Sequence, residues 1–159
     1  MATTATASDL TLELRRMNAM NISRPDDSTY LLPDPAWVAE FAEYLRTDRH
    51  ILWPALVNVA TPQKGDCDEI AEIALAEANK AIMLSTTDVD AGGAVFAADI
   101  FIRMEARLFD VYPGPANHRL LLIRTSLEWI VFDPWTTNYE TYQLLVDDGV
   151  IGALLDVEL

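Results

Sequence analysis

Basic residues are scarce in this chain and cysteine is nearly absent. Of 159 residues, 11 are Lys or Arg against 25 Asp or Glu, a formal net charge of −14. Phosphate neutralisation needs clustered cations, and Arg15-Arg16 is the only adjacent basic pair. Nucleic-acid binding is therefore not expected, whereas a basic protein partner would suit so acidic a surface. The single cysteine, Cys67, cannot close an internal disulfide, which fits a reducing compartment. With only two histidines, His50 and His118, far apart in the chain, a zinc site is not expected either. No apolar run approaches the ~18 residues of a membrane helix. Residues 1–8, Met1 to Ser8, lack both a basic and a hydrophobic segment, so no secretory signal is expected there and the expected location is cytoplasmic. Those eight residues read as a short, flexible N-terminal arm.

What is present is apolar. Such residues make up 51% of the chain, enough for a core without disulfide or metal staples. Residues 9–159 read as a single domain. Residues 9–19 are ambiguous between strand and helix. Asp34 can cap a helix with Pro35 at its first position, and Trp37, Val38, Phe41, Tyr44 and Leu45 follow at helical spacing to about Thr47. A second, alanine-rich helix is expected from near Asp66 to about Leu84, of the kind that packs on a sheet. Strands follow at Val95–Ile102 (extending toward Met104), at His118–Thr125 and at Trp129–Asp133, with Ser126-Leu127-Glu128 as a hairpin link. Helices first and then a mostly antiparallel sheet place the chain in the α+β class.

Three residues invite chemistry. Cys67 follows Gly65-Asp66 where the chain enters a helix, and unpaired N–H groups and the helix dipole at such a site favour a thiolate. The flanking acids Asp66, Asp68 and Glu69 oppose it. His118 and Asp133 follow on neighbouring strands, and an odd hairpin register would put them on one face. The aspartate could then hold the imidazole in one tautomer. Gln63, Asn58 or Asn117 could add an oxyanion donor beside the Cys67 N–H, and Trp135 could cover the His–Asp pair. The plainer alternatives are a packed cysteine, a surface histidine and an Asp-Pro turn. The Asp66/Asp68/Glu69 cluster could hold calcium but lacks a spaced ligand loop.

At these residues the chain resembles the transglutaminase-like and papain-like cysteine hydrolases. Gly65-Asp66-Cys67-Asp68-Glu69-Ile70-Ala71 is similar to the nucleophile segment of the bacterial transglutaminase-like cysteine proteinases. Asn117 to Thr125 and Glu128 to Asp133 are similar to that family's histidine and aspartate strands. The C-terminal domain of a fungal lectin with a papain-like, calcium-dependent protease site is a more distant resemblance. The resemblance covers about residues 63–136 and departs from the family at Pro134-Trp135. It implies a papain/transglutaminase-like core, its nucleophile helix packed on the sheet. It also implies a cysteine-dependent amide hydrolase or acyltransferase acting on a peptide or protein amide, with catalytic Cys67, His118 and Asp133, Gln63 as oxyanion donor, and no cofactor unless calcium. The alternative is a catalytically silent acidic interaction module, or a virus particle or accessory component.

Overall fold

The computed structural model describes residues 3–47, 64–84 and 91–159, the side chains of 64–69, 83 and 84 excepted. In chain order the elements are β1 Thr3–Thr6, α1 Ala7–Arg16, β2 Asn21–Ile22, β3 Thr29–Leu32, α2 Pro35–Thr47, α3 Lys64–Leu84, β4 Gly92–Gly93 and β5 Val95–Ile102. Then come β6 Arg107–Leu108, β7 Tyr112–Pro113, β8 Ala116–Arg124, β9 Trp129–Phe132, β10 Tyr139–Thr141, α4 Tyr142–Asp147 and β11 Ile151–Glu158. Six strands form the main sheet in the order β10-β9-β8-β5-β11-β2. Every pairing in it is antiparallel except β2 with β11.

The centre of the sheet is the β5–β8 pair, in register from Val95 opposite Ile123 to Ile102 opposite Ala116. Side chains alternate across a strand, and both parities here are apolar, so the sheet is buried on both faces. One face carries Phe96, Ala98, Ile100, Leu120, Leu122 and Leu154, packed with Leu10 and Leu14 of α1 and Leu145 of α4. The other carries Val95, Leu121, Ile123, Ile130 and Phe132, packed with α2 and α3.

Local chemistry fixes the helices against these faces. Thr6 caps α1 by accepting from the Asp9 N–H, and Leu10 and Leu14, one turn apart, face inward. Glu13 Oε1 accepts from Arg124 Nε at 2.8 Å and Trp129 Nε1 at 3.1 Å, fastening α1 to β8 and β9. In α2, Asp34 Oδ1 accepts from the Ala36 N–H at 2.9 Å. In α3, the fully buried Ala71, Ala74 and Ala78 leave no bulk to hold the helix away from the sheet.

The structure departs from the sequence reading in three places. Thr3–Thr6, assigned to a flexible arm, pair antiparallel with Thr29–Leu32. The ambiguous stretch after Ser8 is the helix α1. The expected papain/transglutaminase-like core is also corrected: a helix layer covers each face of one sheet, and the described apolar contacts of α3 lie on the Leu121/Ile123 face. No described helix is long and apolar enough to cross a membrane.

Phe132 is fully buried and packs on Phe41 of α2 at 5.3 Å between ring centroids. Phe132→Ala is expected to cost about 3–5 kcal/mol in chemical denaturation. A loss below about 1 kcal/mol would show that the α2 layer does not depend on this contact.

Candidate functional site

Asp133 is the most heavily hydrogen-bonded side chain described. It stands at the end of β9, fully buried, where Pro134 breaks the strand and the chain turns back to β10. Its carboxylate organises that turn: Oδ1 accepts from the Trp135 N–H at 3.3 Å, and Oδ2 from the Thr136 N–H at 3.1 Å and hydroxyl at 2.6 Å. Its backbone closes the loop through Asn138 and Thr137, and Thr137 adopts a left-handed φ of 63°. Tyr112 donates to Oδ2 at 2.8 Å, and His118 Nε2 lies 3.2 Å from Oδ1. The Tyr112 and His118 rings stack at 4.0 Å.

Burial alone would push the Asp133 carboxyl up. The hydrogen bond and charge of His118, then Thr136 and Tyr112, outweigh burial and hold it below the ordinary carboxylate range. With Nε2–H given to Asp133, a neutral His118 has Nδ1 as its lone-pair nitrogen. The pair can therefore hold an imidazole in one tautomer.

The β8–β9 register explains how the two meet. Leu121 lies opposite Phe132 and Arg124 opposite Trp129, so the position facing Asp133 is Leu120, and His118 lies two residues further along on the same face. They meet diagonally rather than as a direct pair. This is the odd register the hairpin required, shifted by one step: Thr125 and Glu128 close the turn around Ser126-Leu127.

Cys67 falls in the first turn of α3, but its side chain lies outside the described residues, as do Gln63, Asn58 and the side chains of Asp66, Asp68 and Glu69. His118 projects from the Leu120/Leu122 face, whereas the described packing of α3 is on the opposite face. The coordinates thus join His118 with Asp133, while the third member of the expected triad, the Cys67 side chain, lies outside the described residues. Asn117 is exposed; Trp135 is half-buried and packs against both cores. Among the described residues no three His, Cys, Asp or Glu side chains gather as metal ligands.

A second site went unread in the sequence. Trp37, Phe41 and Tyr44 lie along one face of α2, Trp37 and Phe41 stacked at 4.9 Å and 6° and Phe41 and Tyr44 at 6.5 Å. Together with Glu77, Lys80 and Ala81 of α3 they line a groove of about 260 Å³, with Glu40 at its rim. The Tyr44 hydroxyl donates to Glu77 Oε2 at 3.0 Å and ties the two walls together. Phe41 forms the floor, buried on Phe132; Trp37 and Tyr44 remain half-exposed. The stripe was legible as helical spacing, but the same spacing marks any helix that packs on a core.

No family model matches this chain, and no curated protein matches its sequence. Solved structures do resemble it. A structure described as a PSL1a-E64 complex superposes with a TM-score of 0.65 at 10% identity, over 98% of this chain and 51% of that one. Polyporus squamosus lectin, described as bound to the human-type influenza-binding epitope Neu5Aca2-6Galb1-4GlcNAc, gives 0.61 at 11% identity, over 96% and 49%. The likeness is one of fold, and the chain spans about half of each structure. The fold shared with Polyporus squamosus lectin replaces the expected papain/transglutaminase-like core. That likeness likewise stands against the expected cysteine hydrolase or acyltransferase, its thiol-protease character and its peptide amide substrate.

A carboxyl held below its unfolded pKa stabilises the fold above that value, about 3.9. The contribution is lost as pH falls from there through the folded value. Asp133→Asn is expected to cost about 3–5 kcal/mol near neutral pH. The difference from the native protein should shrink on acidification below about pH 4. A difference unchanged with pH in urea titrations would contradict the charge-based account.

Proposed function

We propose that this chain is a carbohydrate-recognising domain that seats a single sugar ring in the groove between α2 and α3. The observation that carries this is the aromatic ladder Trp37–Phe41–Tyr44 bordered by carboxylates. A pyranose has an apolar C–H face and a polar hydroxyl edge, so it needs a flat aromatic surface beside hydrogen-bond acceptors. Trp37 supplies the surface, stacked on Phe41 and so held flat, and Glu40 at the rim supplies an acceptor. Glu77, held by Tyr44, stands on the facing wall. The likeness in fold to a lectin described as bound to an oligosaccharide supports the same reading.

Size limits the occupant. The groove lies just below the roughly 300–1,000 Å³ of pockets that enclose drug-sized ligands, which suits one ring rather than an enclosed oligosaccharide. About 12 non-hydrogen atoms at roughly −0.3 kcal/mol each give about −3.6 kcal/mol, a dissociation constant of a few millimolar. Useful avidity would then require several such sites acting together.

The test is monosaccharide titration followed by saturation-transfer NMR. Binding in the low millimolar range is expected, and Trp37→Ala should weaken it at least tenfold in a chain that is less stable but still cooperatively folded. Binding unaffected by that substitution would remove the groove as the site.

A further inference from the structure

From the charges that line the same groove we infer its saccharide class: a neutral pyranose, with saccharides bearing a carboxylate excluded. The inference rests on the carbohydrate reading above and adds the selectivity. Glu40 and Glu77 face the space where a ring would lie on Trp37, against the single cation Lys80 among the described lining residues. The groove is therefore negative, and it belongs to a chain whose net charge is −14. Like charges brought close in a partly water-excluded site repel more strongly than in bulk water. Carboxylates still accept hydrogen bonds from sugar hydroxyls, so a neutral ring gains from the groups that repel an acidic one.

The Tyr44–Glu77 hydrogen bond makes the exclusion a property of the groove rather than of a mobile surface acid. Tyr44 holds the Glu77 carboxylate on the α3 wall, so that charge cannot swing away to admit an anion. Glu40, exposed at the rim, has no such tether among the described residues and contributes less. A sialylated glycan, such as the one described for the similar lectin, is thus the discriminating competitor.

The experiment titrates the full chain with methyl β-galactopyranoside and, separately, with the methyl α-glycoside of N-acetylneuraminic acid, at low and at high salt. The expected result is binding of the neutral sugar at least tenfold tighter at low salt, with the gap narrowing as salt screens the carboxylates. Glu77→Gln should narrow the gap at low salt, and Tyr44→Phe should narrow it partly. Equal or tighter binding of the acidic sugar overturns the inference while leaving a carbohydrate site in place. Binding of neither sugar at tens of millimolar by a folded chain overturns the carbohydrate reading itself, and the selectivity with it.

Discussion

The structure depends on the antiparallel pairing of β5 with β8. These strands are apolar at both parities, so pairing them creates a sheet that must be covered twice. Phe96, Ile100, Leu120 and Leu122 call for one cover, and Val95, Leu121 and Ile123 for another. The two helices directly before the β5–β8 pair, α2 and α3, cover the second face; α1 and α4, from opposite ends of the described chain, cover the first. Both candidate sites follow from this division. The His118–Asp133–Tyr112 cluster lies with the first layer, and the aromatic groove is the seam between the two helices of the second.

Polar groups reinforce the arrangement where elements meet. Arg119 on β8 reaches Asp99 on β5, Glu72 on α3 and Glu158 on β11. Its charge is stabilised further by those partners, Glu158 and Asp99 foremost, despite the opposing effect of burial. Glu13 performs the matching task for α1 through Arg124 and Trp129. Asp133 does so within one turn, and its buried charge is tolerable because five donors converge on it.

Much of this was legible in the sequence, for identifiable reasons. Asp34-Pro35 announces α2, and the alanines of α3 announce a helix that lies close on a sheet. The run from His118 and the run ending at Phe132 announce a hairpin. What escaped were features whose signal is non-local. Thr3–Thr6 form a strand because Thr29–Leu32 lie beside them; the threonines favour extended backbone, but without apolar alternation they do not announce a partner. β11 was not anticipated because its register against β5 shifts twice, between Ile151 and Ala153 and between Leu154 and Asp156, which breaks the alternation that marks a strand. The meeting of His118 with Asp133 was legible as an odd hairpin register, whereas the diagonal offset between them depends on where the turn at Ser126-Leu127 is centred. The groove was invisible for a different reason: Trp37, Phe41 and Tyr44 read as core, and only the facing position of Glu77 and Lys80 makes them walls.

The sharpest test of the carbohydrate account locates the sugar on the surface. Backbone amide chemical shifts should be followed while a neutral monosaccharide is added. The account predicts perturbations concentrated at residues 37–44 and 77–81, on the two walls of the groove. Perturbations centred instead on Tyr112, His118 and Thr136, with α2 unmoved, would contradict it and transfer the function to the buried histidine–aspartate cluster.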